Sequence, residues 1–552
     1  MRFDVLLVHP PAFMDFYSRR RYYGPIADVV PSTALFDMYP IGFLSIVTHL
    51  ARHGFRVGLL NLAAAMAMNP GLDVEGLLSG LYADVYAVDL HWAIHCSGAL
   101  RVAGLLKRLH PSSAVVLGGL TATIYWREVL EKYGFVDYVL LGDTCEEPLR
   151  MLVEAVQRGL GASGVPNTAY RSTPGGVPRS SGVTHAPSRL DDYSVDYRLV
   201  FRSVVNGDVN PLYTVPFAGF LRSPIAGVLP YKGCLRMCVT CGGSRYTYSR
   251  YYGRRGLGVK SPAAVASEVE SLLEYMRIPV FVLNDPFMLG RGWVEGFAGE
   301  VRERGIDTSF FFEVFRPLSR EELALLASVP GASVVEISPE TADEELRRVF
   351  GKPYSNAELE SFIGGALDAG FERVDVYFMV GVPFQTWSEC VETAAYALRL
   401  AGLDPRVKPF IAPMTPFLDP GSIAFDNPSS YGYRLRARSL EEHVALVESA
   451  GDWLELMNYE HLYMPGDVLA SATYSAMAAL QSRGVTGSGE GFGHEGVSLR
   501  DLYESRHVLR SASVKLKLRL LAALVAYSVK SMPSALTALR RGGIVVASPR
   551  PV

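Results

Sequence analysis

Short apolar runs recur along the first quarter of the chain. They alternate with segments whose apolar residues return every three or four positions. Residues 3–9, 55–61, 85–89, 114–117 and 136–140 are strand-like runs, and 41–54 and 99–109 carry the helical period. Gly54 stands where a helix-closing glycine is expected. This alternation predicts a doubly wound, Rossmann-like parallel sheet over residues 1–155. Residues 156–225 are rich in Gly, Pro and Ser, as in Ser172-Thr-Pro-Gly-Gly-Val-Pro178. They read as a linker with some extended structure around 211–221.

From 226 to 425 strands and helices alternate again, with well-marked helix starts. Ser261-Pro262 is an N-cap followed by proline at the first helical position. Ser319-x-x-Glu322, Thr341-x-x-Glu344 and Thr386-x-x-Glu389 each fit a capping box. Each box follows closely on a strand, and repeated strand–loop–helix units predict a partial (β/α)6 barrel with its function at the carboxyl ends of the strands. Residues 426–552 are expected to be mainly helical, as at 467–481 and 498–509, with a glycine-rich loop at 484–496 that contains His494. A lid or substrate-selecting domain is the expectation there. The fold class is thus α/β throughout, closed by a helical C-terminal domain.

At 552 residues, 49% hydrophobic and 20% charged, the chain exceeds one core. A net charge of -3 and a pI near 6.4 give no basic field, and no nucleic-acid partner is expected. Six cysteines do not make a disulfide framework and point to a reducing, cytoplasmic site. Cys96, Cys145 and Cys390 are isolated and are expected to be buried free thiols. No signal peptide is expected, because Met1 leads directly into a strand-like run. Residues 514–539 form an apolar stretch flanked by Lys515, Lys517, Arg519 and Lys530. Two readings stay open for it: a helix packed on the protein, or one lying on the inner face of a membrane.

The chemistry gathers at Cys234, Cys238 and Cys241, in Tyr231-Lys-Gly-Cys-Leu-Arg-Met-Cys-Val-Thr-Cys-Gly-Gly243. Three thiolates on one loop can hold three irons of a four-iron, four-sulfur cube and leave the fourth open. No fourth Cys or His follows nearby to close a zinc site. The loop resembles the signature of the radical S-adenosylmethionine (SAM) superfamily. That resemblance implies a 4Fe-4S cluster whose open iron chelates SAM, reductive cleavage to a 5'-deoxyadenosyl radical, and hydrogen abstraction from the substrate.

The resemblance continues strand by strand. Tyr231 delivers the cluster loop. Thr240 stands where the family has a large residue whose backbone touches adenine. Asn284 and Asp285 match the segment that receives the SAM amino group, with a plain Asn-Asp-Pro turn as the alternative. Glu313 and Arg316, on a very apolar strand, are expected to partner each other or a charged ligand group. Glu340 matches the ribose-binding carboxylate, and Gly381 with Pro383 the adenine-lining turn.

The N-terminal domain resembles the cobalamin (B12)-binding domain found ahead of many radical SAM cores. The resemblance rests on His9-Pro10-Pro11, Tyr39-Pro40-Ile41-Gly42, Gly118-Gly119-Leu-Thr-Ala-Thr123 and Leu141-Gly142-Asp143-Thr-Cys-Glu146-Glu147. It implies cobalamin contacts at Pro10, Pro40, Gly118, Gly119, Thr123, Gly142 and Glu146. Glycines at strand ends are expected to let a flat ligand approach the backbone. The Asp-x-His-x-x-Gly motif that supplies a lower-face histidine is absent, so cobalamin is expected without that ligand. Asp89, His91, Trp92 and His95 are expected at the same crevice edge.

Lys408-Pro-Phe-Ile-Ala-Pro-Met-Thr-Pro-Phe-Leu-Asp-Pro-Gly-Ser422 with Tyr431-Gly-Tyr433 resembles an archaeal group that includes the tetraether-lipid (GDGT) ring synthases. This implies an apolar lipid substrate and cyclopentane formation. A mean hydropathy of +0.16 is compatible with an apolar partner. Two alternatives stand beside it: a cobalamin-dependent C-methyltransferase, and a non-catalytic iron–sulfur protein. A ferredoxin or flavodoxin is the expected reductant.

Overall fold

The computed structural model of the chain describes residues 2–15, 35–69, 71–206, 208–414, 417–482 and 518. The expected loop at 484–496, the helix at 498–509 and the basic-flanked stretch at 514–539 lie outside the described residues.

Strands β1 (Arg2–His9), β2 (Val57–Asn61), β3 (Tyr82–Asp89), β4 (Ala114–Gly118) and β5 (Tyr138–Leu140) pair in parallel in the order 2-1-3-4-5. The direction of winding reverses between β1 and β3, the switch point at which such sheets bind ligands. Residues 5–9 of β1 are all buried, which is why that run is continuously apolar rather than alternating. Helix Gly42–Arg52 closes as its sequence implies, with Gly54 N–H on Ala51 O at 3.1 Å and Phe55 N–H on Leu50 O at 3.2 Å.

The segment read as a linker is more structured than its composition suggested. β6 (Thr168–Arg171) adds to the sheet edge antiparallel to β5, and β7 (Pro178–Ser180) antiparallel to β6. The Gly-Gly of Ser172–Pro178 is the turn between two strands. The extended structure expected near 211–221 is instead a 3-10 turn, Pro211–Tyr213, capped by the Asn210 side chain.

The second sheet holds six parallel strands in chain order. They are β8 (Ala226–Val228), β11 (Val280–Val282), β12 (Phe310–Val314), β13 (Ala332–Glu340), β14 (Arg373–Val380) and β15 (Val407–Pro413). The strand expected at 227–231 breaks at Pro230, which has no N–H to donate to a ladder. Its far end becomes β9 (Tyr231–Lys232), paired with β10 (Gly258–Val259). Capping boxes form at Ser319 and Thr386. The box expected at Thr341 does not: Asp343 caps helix Glu344–Phe350 by accepting Leu346 N–H at 2.8 Å. Thr341 is buried, its hydroxyl 3.2 Å from that of Thr393.

A buried apolar cluster runs from Phe43 and Val47 through Tyr197 to Val265 and Val269, so the two sheets share one core. After the barrel, β16 (Tyr433–Leu435) and β17 (Tyr459–His461) form an antiparallel pair, followed by helix Gly466–Ser482.

Candidate functional site

The cysteine loop is clamped from three sides. Val239 N–H reaches Phe350 O at 2.9 Å, Ala424 N–H reaches Val239 O at 2.8 Å, and Gly242 N–H reaches the Asp419 carboxylate at 2.8 Å. Gly351 has φ +111, and a Cβ there would lie 3.0 Å from Met237 O and 3.1 Å from Cys238 Cα. Only glycine allows the loop after β13 to seat against the cysteines. Arg236 N–H points at Cys234 Sγ (3.3 Å) and Gly243 N–H at Cys241 Sγ (3.2 Å). Amides aimed at sulfur favour the thiolate, the form that ligates iron. The loop therefore fits a cluster held at three corners.

Glu340 ends β13 in a left-handed conformation, φ +68, and is 3% exposed. One carboxylate oxygen takes Lys352 Nζ, which also donates to Ser338 O at 2.5 Å. The other oxygen has no partner. Burial alone would lower the Lys352 ammonium. The adjacent Glu340 and Cys238 hold it above its ordinary value. A buried, unpartnered carboxylate oxygen beside the cysteine loop fits a ribose hydroxyl. Asn284 is likewise left-handed (φ +67), and its side-chain N–H donates to Tyr231 O at 3.3 Å.

Asp285 does not fit the expected role. Its carboxylate accepts Phe287 N–H at 2.9 Å and Phe315 N–H at 3.1 Å, so it is tied to its own turn and to the end of β12. Tyr231 and Thr240 are buried, and the Tyr231 hydroxyl donates to Asp285 O at 3.1 Å. The Glu313–Arg316 pairing is not formed. Arg316 is held by Glu322 at 2.6 and 2.8 Å, and Glu313 accepts Asn284 N–H at 3.0 Å. Desolvation pushes the Glu313 carboxyl upward.

The Gly381–Pro383 turn is pinned from behind by the C-terminal hairpin. Tyr433 OH donates to Gly381 O at 2.8 Å, and His461 Nε2 lies 3.0 Å from Val382 O. Asn458 clasps the Leu418 backbone at 2.8 and 2.9 Å, next to Asp419. Asn458 and His461 were invisible in the sequence, because they sit in no motif, and Tyr433 stood there only as part of Tyr431-Gly-Tyr433.

On the other sheet, Thr123 donates to Gly119 O and accepts Gly142 N–H, both at 2.9 Å. The structure thus joins three of the expected cobalamin residues at the carboxyl ends of β4 and β5. The chain itself requires glycine at Gly119, since a Cβ there would meet His91 N and Cα at 2.7 Å. Gly118 stands just before it at the end of β4. Pro40 precedes helix Gly42–Arg52 and accepts Phe43 N–H at 2.9 Å. A cavity of about 400 Å³ opens beside Thr123, lined also by Trp126, Arg127, Leu141 and Tyr251.

Pro10 lies apart from these, at the β1 end. There His9 Nδ1 is 2.9 Å from Asp89 and its Nε2 3.1 Å from Phe36 O. Both nitrogens are taken, so His9 has none to offer a corrinoid, in keeping with the missing histidine motif. His95 is 2.8 Å from the same carbonyl, and burial pushes its pKa down to about 3. Asp89 and His95 thus turn inward, whereas Trp92 is 48% exposed.

Glu146 reaches across to β9. It accepts Ser45 Oγ at 2.6 Å and Lys232 Nζ at 2.9 Å, and its second oxygen is buried without a partner. Asp143 and Thr144 bind Arg254 in the same way, with the carboxylate–guanidinium pair almost wholly buried. Two ion pairs therefore fasten the β5 end to the strand that carries the cysteines and to the segment after it.

Comparison with known proteins agrees with this division. Residues 27–148 match the B12 binding domain family and residues 228–397 the radical SAM superfamily. No curated protein matches the chain in sequence. A solved structure of the radical S-adenosylmethionine methyltransferase TsrM from Kitasatospora setae, with tryptophan and a SAM analogue, is 16% identical with a TM-score of 0.60. The match covers 97% of this chain and 99% of that one. The cobalamin-dependent S-adenosylmethionine radical enzyme OxsB, with aqua-cobalamin and S-adenosylmethionine bound, is 12% identical with a TM-score of 0.50 over 99% of this chain and 69% of its own. At those identities the likeness is one of fold. The domain matches make the chain a radical SAM enzyme with an N-terminal B12-binding domain. Its cofactors are a 4Fe-4S cluster, SAM and cobalamin. Among the described residues no helix is long and apolar enough to cross a membrane.

Proposed function

We propose that the chain is a cobalamin-dependent radical SAM methyltransferase acting on a carbon of a small molecule, with Cys234, Cys238 and Cys241 as the cluster ligands. The observation that carries this reading is the pair of buried ion pairs, Asp143–Arg254 and Glu146–Lys232, that tie the B12-domain strand end to the cysteine region. They support one shared crevice for both cofactors. When bound, cobalamin supplies a transferable methyl group, and the cluster with SAM supplies one-electron chemistry. The chain's own part is positioning. Glu340 and Asn284 are the proposed SAM contacts, Gly381 and Pro383 line the adenine side, and Thr123, Gly142 and Glu146 shape the corrinoid edge. A ferredoxin or flavodoxin is the proposed electron source.

Ring closure in a tetraether lipid stands behind this reading. Phe310 and Phe312 of the phenylalanine-rich strand are buried in the core, Phe310 5.5 Å from Phe297, rather than presented to a substrate. Anaerobic reconstitution with SAM, reductant, hydroxocobalamin and candidate acceptors tests the proposal by product mass. A product heavier by one methyl group supports it. Loss of two hydrogens supports ring closure, and no SAM turnover under reduction leaves an iron–sulfur protein of other use. Each Cys→Ala single variant is expected to abolish turnover and lower iron content.

A further inference from the structure

The interior of the barrel carries a row of carboxylates that the cofactor contacts do not use. Glu313, Glu336 and Asp375 stand in register on β12, β13 and β14, with Lys408 next to Asp375 on β15. In-register residues of a parallel sheet point to one face, with neighbouring strands about 4.8 Å apart. The row is continuous with the cofactor side, since Glu313 feels the charges of Lys352 and Glu340.

Its charges do not balance. Arg373 takes only one oxygen of Asp375, at 2.9 Å. The other oxygen is buried without a partner. Glu336 is 6% exposed and has no hydrogen-bond or ion-pair partner among the described residues, and Lys408 makes no ion pair there either. Three acids thus face two bases. Beside them Tyr377 and Phe410 stack at 4.8 Å and 12°, on the same face as Asp375 and Lys408. Tyr377 is close enough to Glu336 and Asp375 for their charges to raise its pKa further after burial has done so.

Unpaired buried carboxylates are costly: burial pushes the Glu336 carboxyl well above its ordinary value and the Glu313 carboxyl up as well, so the row holds extra protons when empty and exchanges them for a positive partner when one is seated there. A metal ion is not the natural one. Among the described residues, the only trio of potential ligand atoms lying within 4.8 Å of one another belongs to His49, His53 and Glu147, on the helix Gly42–Arg52 side. An organic cation needs no such convergence, and it gains from an aromatic wall.

We propose that the substrate carries a protonated amine, seated against Glu336 and Asp375 beside the Tyr377–Phe410 wall. This rests on the reading of the barrel as the small-molecule acceptor site, and it departs from a pure hydrocarbon substrate. Glu336 stands beside Glu313, whose carboxylate accepts Asn284 N–H at 3.0 Å, so the amine seat adjoins the proposed SAM contacts on the inner face of the sheet.

The test uses the full-length, anaerobically reconstituted protein with SAM present. Calorimetric titration compares 2-phenylethylamine, charged at neutral pH, with uncharged 2-phenylethanol. The expected result is at least about tenfold tighter binding of the amine, equivalent to about 1.4 kcal/mol. Glu336→Gln with Asp375→Asn should bring the amine down to the level of the alcohol. The amides keep the side-chain shape and remove like-charge repulsion, and iron content and melting temperature confirm that the variant is folded. Equal binding of the two ligands, amine preference that survives in the variant, or binding of neither overturns the proposal. Reductive SAM turnover is read in the same samples. Turnover without amine preference sinks the amine site alone, whereas amine preference without turnover sinks the enzymatic reading alone.

Discussion

Asp419 shows how much one side chain decides. Its carboxylate is pushed up to about 6 by burial, partly offset by the bond from Gly242 N–H. That amide follows Cys241 directly. Asp419→Asn keeps an acceptor for it and should retain iron. Asp419→Ala leaves the amide unpaired beside the cluster, a loss of about 1–3 kcal/mol, and should lower iron content on purification. Glu340 and Lys352 form a second such unit. Removing the lysine as Lys352→Met leaves a buried carboxylate unpaired and should weaken SAM binding more than tenfold in equilibrium dialysis, with cluster absorbance retained. The cysteines and Glu340 were legible because their spacing and strand-end position carry the chemistry. Asp419 was read only as a letter of the Lys408–Ser422 stretch, and Asn458 and His461 were not read at all. Their roles arise only when distant segments meet, and no local pattern encodes that meeting.

Among the elements, the strands were the most readable. Continuous apolar runs bounded by polar strand ends leave little freedom, and both parallel sheets follow from them. Boundaries failed where local chemistry competed. Thr341 has the letters of a capping box, yet Asp343 wins because an ionised carboxylate nearer the helix start is the stronger acceptor. Ser355 with Glu358 and Ser439 with Glu442 are capping boxes of the same form that went unread. β6 and β7 were missed because short edge strands joined through Gly and Pro look like a tether. The joint between the sheets was equally unreadable, since Glu146 reads as a ligand contact and its pairing with Lys232 appears only in the fold. Lys232→Met alone should cost about 3–5 kcal/mol by stranding Glu146. Lys232→Met with Glu146→Leu should recover most of that, as read by melting temperature in a double-mutant cycle.

At the scale of the whole molecule, the two halves answer pH in opposite directions. His95 has its pKa lowered from 6.5 to about 3 by burial. Its contribution to stability is complete above 6.5 and is lost as the pH falls toward 3. Asp375 is raised from 3.8 to about 6, by burial against the opposing pull of Arg373. Its contribution is complete below 3.8 and is lost as the pH rises through 6. The two windows overlap, so between about 3.8 and 6 the opposing slopes largely cancel. Asp375→Asn should therefore unmask a fall in the melting temperature of the apo-protein as the pH drops from 6 to 3.8, by at most about 3 kcal/mol, and His95→Gln a fall as the pH rises across the same range. Domain order and cofactor class were plain in the sequence. The proposed amine site was not, because the carboxylates of the barrel interior lie on separate strands and come together only through register.

The glycine seat at Gly351 has a consequence for biosynthesis. The thiols take their final spacing only once the excursion after β13 has docked on them, more than a hundred residues downstream of Cys234. Iron delivery to the nascent chain must therefore wait until the barrel has closed. A ribosome-released fragment ending before Phe350 should emerge without iron, whatever the supply.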